Sequence, residues 1–144
     1  MSDEPLFLID TNVLVYAYNI DDLKKQKIAK ELLNKCWKRE RTYAISSQNL
    51  AEFFYVSTKK IPKPLSLDCA EQLIHDIAVF SQWKVINYTE ETLLKAVQMH
   101  KKTQKKFWDA VLAATMLQHN VTHIYTEDIA DFKDYSIIAV NPFK

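Results

Sequence analysis

Acidic side chains in separated stretches of the chain are the residues whose types and spacing favour chemistry. Asp10 follows the apolar run of residues 6–9, Asp128 follows a later apolar run, and Asp109 lies in the first turn of a predicted helix. The carboxyl ends of parallel strands meet at one edge of a sheet, so Asp10 and Asp128 are expected to converge there. Glu52 joins them if its predicted helix packs beside the first strand. We expect Glu52 to be surrounded by core residues, where an acid is rare unless it is paired or bound to metal.

Several carboxylates in one site repel one another. Two unit charges about 4 Å apart cost about 4 kcal/mol at an effective dielectric constant near 20. A divalent cation removes this cost, and ligands that are all oxygen atoms suit Mg²⁺ or Mn²⁺. The acids therefore predict a divalent metal site. The alternative role for Asp10 is that of a turn residue that caps the following helix.

The composition excludes several classes of function. The 144-residue chain contains no glycine, which excludes the glycine-rich loops that hold dinucleotides and nucleoside triphosphates. Its formal net charge of +1 argues against a strongly polybasic nucleic-acid binder, although a local basic patch remains open. No long apolar span or leader is present, so we expect a cytoplasmic protein with no membrane partner. Cys36 and Cys69 both fall in helical patterns and are predicted to be reduced, packed thiols.

The pattern of apolar residues predicts the fold. Short strands at residues 6–9, 42–45, 84–86, 121–125 and 137–140 alternate with helical patterns. This alternation predicts a single α/β domain over residues 1–144, a three-layer α/β/α sandwich with a central parallel sheet. Thr11 or Asn12 is expected to cap the first helix. Without glycine, Asn19 and Asn120 are expected to take the left-handed positions at helix ends.

Four acidic segments and the last strand carry a resemblance to a known family. Residues 9–14 (IDTNVL) resemble the opening of the PIN-domain ribonucleases, and the likeness is closest to the VapC-type toxins. Residues 46–53 (SSQNLAEF) and 107–110 (FWDA) resemble the second and third acidic segments of that family. Residues 125–128 (YTED) and 140–143 (VNPF) resemble its fourth segment and last strand. The resemblance spans nearly the whole chain, but residues 134–136 lack the glycine that often precedes the last strand.

The resemblance implies a function and a set of site residues. It implies an endoribonuclease that depends on Mg²⁺ or Mn²⁺ and hydrolyses RNA phosphodiester bonds, as the toxin of a toxin–antitoxin pair. An antitoxin protein and a second copy of the chain are the implied partners. The implied metal ligands and catalytic residues are Asp10, Glu52, Asp109 and Asp128, with Asp131 as the alternative to Asp128. Thr11 or Thr126 adds a hydroxyl group to the site.

Residues that contact the substrate are less specific in the sequence. One basic cluster is a candidate to follow the RNA backbone, and its members are Lys101, Lys102, Lys105 and Lys106. A second candidate group is Lys59, Lys60 and Lys63. For each lysine the alternative is a solvated helix end or loop. Trp108 is a candidate to stack on a base, but packing beside Phe107 is the favoured expectation.

Other functions fit the acids less well. A haloacid-dehalogenase-like phosphatase requires a second acid two residues after the first, and that position is Asn12. The paired acids and late lysine of a receiver domain are missing. The four histidines are scattered without the spacing of zinc ligands. A PIN-like module that binds RNA or a protein without cleaving it remains the main alternative.

Overall fold

Five short apolar strands pair into one sheet in the computed structural model, which describes residues 4–144. The strands are β1 (Phe7–Ile9), β2 (Tyr43–Ser46), β3 (Trp83–Ile86), β4 (His123–Tyr125) and β5 (Ile138–Val140). Their order across the sheet is β3-β2-β1-β4-β5, and every pairing is parallel. The central strand β1 is buried along its whole length, as expected for a strand covered on both faces.

Helices cover both faces of this sheet. They are α1 (Thr11–Tyr16), α2 (Leu23–Trp37), α3 (Ser47–Lys59), α4 (Leu67–Val79), α5 (Glu90–Thr103) and α6 (Phe107–Gln118). One core cluster joins residues of α1 to α4 to the sheet, and a second joins residues of α5 and α6 to it. The predicted three-layer α/β/α sandwich with a central parallel sheet is therefore confirmed.

Helix α6 is the most deeply buried helix of the described chain. Residues 110–116 are all buried, and most of them are small or apolar. A helix that is apolar on every side belongs inside a core rather than on a surface. Its burial anchors the first turn, and with it Asp109, against the sheet.

Left-handed backbone occurs at four described residues although the chain has no glycine. Positive φ angles are found at Arg39, Gln104, Asn120 and Ser136. The prediction for Asn120 is confirmed, and the prediction for Asn19 is wrong. Helix α1 ends without a left-handed residue, because its C-cap Ala17 keeps right-handed helical angles. Ser136 takes φ 59° in the turn before β5.

The cysteines differ from the expectation in one respect. Both thiols are free, and the thiol of Cys36 on α2 is buried as predicted. Burial raises the pKa of the Cys36 thiol to about 11. Cys69 is exposed on α4, so the prediction that it is packed is wrong. It lies one residue before the buried Ala70, on the outward side of that helix.

Within residues 4–144, no helix combines the length and the apolar character that crossing a membrane requires.

Replacing Gln104 by glycine is expected to stabilise the fold. Gln104 caps α5 at φ 58° and ψ 17°, a conformation that is unfavourable for any residue with a Cβ atom. We expect Gln104→Gly to raise the free energy of unfolding in urea by about 0.5 kcal/mol, after the entropy cost of glycine. Gln104→Ala is the matched control, because it keeps the Cβ atom. Equal stability of the two variants would contradict the prediction.

Candidate functional site

A cleft at the carboxyl edge of the sheet gathers the acids that the sequence singled out. We call it the acidic cleft; it has a volume of about 380 Å³. Its acidic lining consists of Asp10, Glu52, Asp109, Asp128 and Asp131. The structure thus brings the four predicted acids, and the alternative to the fourth, to one place. They come from the end of β1, from α3, from α6 and from the segment after β4.

Asp10 is the most enclosed of these acids. It is the N-cap of α1, and its Oδ1 atom accepts a hydrogen bond of 2.8 Å from the Thr11 amide. The expectation that Thr11 or Asn12 caps this helix is therefore wrong, because the cap lies one residue earlier. The Thr126 hydroxyl donates to Asp10 Oδ2 at 2.7 Å. Burial raises the pKa of Asp10 to about 6, and the nearby charges of Glu52 and Asp109 add to that rise.

Asn49 holds Asp10 from the side of α3, and the sequence did not single it out. Its Nδ2 atom donates to Asp10 Oδ1 at 3.3 Å and to Thr11 Oγ1 at 3.0 Å. Its Oδ1 atom accepts from the Ser46 amide at 3.1 Å, within a capping box. The spacing of Ser46 and Asn49 is a readable sign of the helix start. Nothing local indicates the contact with Asp10, which lies 39 residues away in sequence.

Glu52 is exposed on the wall of the acidic cleft, so the expectation that it lies among core residues is wrong. The helical periodicity turns its neighbour Phe53 into the core and Glu52 outward. The Thr11 hydroxyl donates to Glu52 Oε2 at 3.2 Å. Gln48 Nε2 donates to Glu52 Oε1 at 3.0 Å and to the Trp108 carbonyl oxygen at 3.2 Å. Gln48 therefore links the helices that carry Glu52 and Asp109.

Asn12 fixes the segment after β4 against α1. Its Nδ2 atom lies 3.2 Å from both Thr126 Oγ1 and Asp128 Oδ2, and its Oδ1 atom accepts from the Glu127 amide. On the other side, the Tyr16 hydroxyl donates to Glu127 Oε1 at 2.9 Å. Glu127 also pairs with the Lys25 ammonium. These contacts position the exposed Asp128 at the mouth of the cleft.

Asp109 is half-buried in the first turn of α6. Burial is the main cause that raises the pKa of its carboxyl to about 6. The charge of Asp131 is the next cause, and it contributes more than the charges of Glu52 and Asp128. Lys106 acts in the opposite direction and lowers the pKa. Asp131 is therefore the stronger electrostatic neighbour of Asp109, whereas Asp128 is the one held by Asn12.

Comparison with known proteins supplies the family. The PIN domain matches residues 7–138. The chain belongs to the PIN domain family. Comparison with curated proteins finds no match. The resemblance to the PIN domain is therefore confirmed. All four acidic segments lie in the matched region.

Solved structures of other proteins share this fold at low sequence identity. One is a toxin–antitoxin complex from Klebsiella pneumoniae, with 22% identity and a TM-score of 0.65; the match covers 94% of this chain and 97% of the other. Another is the sarcin–ricin loop cleaving toxin VapC20 of Mycobacterium tuberculosis, with 19% identity, a TM-score of 0.69 and coverage of 93% and 98%. A third is FitAcB from Neisseria gonorrhoeae, with 16% identity, a TM-score of 0.62 and coverage of 96% and 99%.

The lysines singled out by the sequence occupy different environments in this PIN domain. Lys106 lines the acidic cleft. Lys105 instead pairs with Asp134 at 3.0 Å and donates to the Ala130 carbonyl oxygen at 2.8 Å, so it ties the segment after β4 to the start of α6. Exposed lysines that do not line the cleft are Lys101, Lys102, Lys59, Lys60 and Lys63.

The donors of the PIN cleft suit a hard divalent cation by their chemistry. They are carboxylate and hydroxyl oxygen atoms, the ligands that Mg²⁺ and Mn²⁺ prefer. Burial is the main cause that raises the pKa values of Asp10 and Asp109, and the negative charges of neighbouring carboxylates add to the rise, so the ionised carboxyls are unfavourable in the cleft. Residues 4–144 contain no group of three or more His, Cys, Asp or Glu side chains that are close enough together to hold one metal ion. Protein hydrogen bonds hold the carboxylates of Asp10, Glu52 and Asp128 instead.

Removing a carboxylate from the cleft is expected to stabilise the metal-free PIN domain at neutral pH. The pKa of Asp109 is about 6 in the native state, against an ordinary value of 3.8. The native state therefore binds this proton more tightly than the unfolded chain does, so acidification from about pH 6 to about pH 4 favours folding. In EDTA we expect Asp109→Asn to raise the free energy of unfolding by about 1 kcal/mol at pH 7, after a discount for solvent exposure.

The pH dependence provides the check. The difference between Asp109→Asn and the natural chain in urea unfolding is expected to shrink as the pH falls from about 6 to about 4, and to approach zero below about pH 4, where the carboxyl becomes protonated in the unfolded chain as well. Asp21→Asn, on an exposed acid outside the cleft, is the matched control. A difference that stays constant across this pH range would contradict the assignment.

Proposed function

We propose that this chain is a metal-dependent endoribonuclease that hydrolyses RNA phosphodiester bonds as the toxin of a toxin–antitoxin pair. The observation that carries the proposal is the convergence of acids from separated segments in one cleft at the carboxyl edge of the sheet. Membership of the PIN domain family supports a nuclease role. Two structural neighbours support the finer proposal, since one is a toxin that cleaves the sarcin–ricin loop and another is a toxin–antitoxin complex.

The proposed site residues divide into metal-holding and positioning groups. Asp10, Glu52 and Asp109 would hold Mg²⁺ or Mn²⁺, and Asp128 or Asp131 would complete the site. A bound divalent ion supplies an activated water at neutral pH and stabilises charge on the phosphate during in-line attack.

The positioning residues act on the carboxylates through hydrogen bonds. Thr126 and Asn49 orient the two oxygen atoms of Asp10, with Thr126 donating to Oδ2 and Asn49 to Oδ1. Thr11 orients Glu52 in the same way, through its hydroxyl group. Lys106 brings a positive charge to the cleft, where it reduces repulsion between the phosphate and the acids. Thr126, Asn49 and Thr11 each come from a different part of the sequence from the acid they orient.

A non-cleaving PIN-like module that binds RNA or a protein is the second candidate. The observation in its favour is the lack, within residues 4–144, of a ready-made group of three ligands for one metal ion. Under the nuclease proposal, Asp10, Glu52 and Asp109 would together hold the ion, although the described residues do not bring three such ligands together beforehand. Metal binding therefore separates the two candidates.

The proposal also includes protein partners. An antitoxin that covers the acidic cleft would keep the enzyme inactive, and the structural neighbour from Klebsiella pneumoniae is a toxin–antitoxin complex. Phe53 is fully buried and is excluded from any interface, whereas Tyr55 on the same helix has 56% of its surface exposed. We propose Tyr55 as part of a surface for the antitoxin or for a second copy of the chain.

Asp10→Asn is expected to abolish Mg²⁺- or Mn²⁺-dependent RNA cleavage while the fold persists. The variant loses a charge that the cation requires, and it keeps an oxygen atom for the bond from the Thr11 amide. Gel analysis of RNA cleavage measures the loss, and circular dichroism reports the fold. Calorimetric titration with Mn²⁺ is expected to show binding to the natural chain and none to the variant.

Asp21→Asn is the matched control for this experiment, because it removes an exposed carboxylate outside the cleft. It is expected to keep both cleavage and Mn²⁺ binding. Cleavage by Asp10→Asn at the rate of the natural chain would contradict the proposed role of Asp10. Failure of the natural chain to bind millimolar Mn²⁺ would favour the non-cleaving module.

Lys106→Gln is expected to reduce the salt dependence of RNA binding. Each lysine that contacts a phosphate of single-stranded RNA contributes about 0.7 to the slope of log K against log salt concentration. We therefore expect the slope to fall by about 0.7 for Lys106→Gln, measured by fluorescence anisotropy in EDTA. Lys105→Gln is expected to alter the slope little, because Lys105 is engaged with Asp134. Lys30→Gln, at an exposed position of α2, is the neutral control. An unchanged slope for Lys106→Gln would show that Lys106 does not contact the RNA.

A further inference from the structure

Trp108 differs from the other two tryptophans of the chain in its exposure. Trp83 is buried with 4% of its surface exposed, and Trp37 packs against Phe80 and Trp83. Trp108 has 54% of its surface exposed, although its ring has an edge contact with Phe107 at a centroid distance of 5.6 Å. The expectation that Trp108 has a packing role is therefore only partly met.

The exposed ring of Trp108 lines a second cavity beside the acidic cleft. We call it the Trp108 pocket; it has a volume of about 460 Å³, and its walls include Trp108, Tyr88, Asn87, Gln48 and Glu52. Glu52 lines both this pocket and the acidic cleft, so the two are neighbours across one side chain. The pocket offers two aromatic side chains and two amide groups next to the proposed place of reaction.

Gln48 adds a polar observation that the site described above does not use. Its Nε2 atom is engaged by Glu52 and by the Trp108 carbonyl oxygen, which fixes the orientation of the amide group. Its Oε1 atom is buried and has no hydrogen-bond partner among the described residues. An unsatisfied buried oxygen atom is costly, and a ligand that turned this oxygen toward the pocket and donated a hydrogen bond to it would remove that cost.

These features match the chemistry of an unpaired nucleobase. Proteins bind single-stranded RNA by stacking its bases on aromatic side chains and by forming hydrogen bonds to the base edges. The scissile phosphate would lie in the acidic cleft, and the base next to it would extend past Glu52 into the Trp108 pocket. We propose that the Trp108 pocket binds one unpaired nucleobase of the RNA, stacked on Trp108, an inference that rests on the proposed function.

Tryptophan fluorescence tests the stacking directly. The Asp10→Asn variant, which is expected not to cleave RNA, is titrated with a random-sequence single-stranded RNA of about 20 nucleotides. Inorganic polyphosphate is the comparison ligand, because it carries the charge without the bases. We expect the RNA to quench the emission of Trp108 and polyphosphate not to quench it. In Trp108→Phe the quenching is expected to disappear, because Trp37 and Trp83 lie away from the pocket.

Affinity and activity give the second readout. In the Asp10→Asn background, Trp108→Ala is expected to weaken RNA binding by about tenfold, whereas Trp108→Phe keeps most of the affinity. Tyr55→Ala removes an equally exposed aromatic side chain elsewhere and is the matched control. On the cleaving chain, Trp108→Ala is expected to raise KM for RNA more than it lowers kcat.

The outcomes separate this inference from the proposed function. If the natural chain cleaves RNA but Trp108→Ala binds and cleaves it equally well, the nuclease proposal stands and the base pocket is overturned. If RNA quenches Trp108 and Trp108→Ala loses affinity but no cleavage occurs, the pocket stands and the nuclease proposal fails. Quenching by a partner protein and never by RNA would assign Trp108 to a protein interface and overturn the inference.

Discussion

Repulsion between carboxylates at one edge of a parallel sheet is the constraint on which this structure depends. Burial is the largest cause that raises the pKa of Asp10 to about 6, and the charges of Glu52 and Asp109 contribute to that rise. Such a group weakens the fold when it is ionised, so a chain retains it at a site only where the charge has a use. The hydrogen bonds from Thr126 and Asn49 hold the carboxylate in place without neutralising it. Under the proposed function, a divalent cation would balance this charge.

The scaffold serves the cleft by letting single residues perform two tasks. Asp10 caps α1 with the same carboxylate that faces the cleft, and Asn49 completes the capping box of α3 while it donates to Asp10. Asn12 joins the segment after β4 to α1 with both atoms of its amide group. Because these contacts also hold helix starts, the geometry of the acids is tied to the packing of the sheet. The chain achieves this without glycine, since residues such as Gln104 and Ser136 adopt the left-handed turns.

The sequence was most informative where local pattern decides structure. Short apolar runs alternating with helical periodicity predicted the parallel sheet, and the position of Asp10 after a buried strand predicted its place at the carboxyl edge. Contacts between segments that are distant in sequence could not be predicted from the local pattern. The hydrogen bond from Gln48 to the Trp108 carbonyl oxygen joins residues 60 positions apart, and the ion pair of Lys105 with Asp134 decides that Lys105 does not face the cleft. The exposure of Glu52 depended on which side of α3 packs inward, and its neighbour Phe53 occupies that side.

A crystal structure with Mn²⁺, examined for anomalous scattering, tests most directly whether the acids form one metal site. We predict at least one strong anomalous peak in the acidic cleft, within about 2.5 Å of a carboxylate oxygen of Asp10 and of at least one of Glu52 and Asp109. We also predict that the hydrogen bonds from Thr126 and Asn49 to Asp10 persist. A peak at another acidic surface, or an empty cleft in crystals saturated with Mn²⁺, would contradict the central claim.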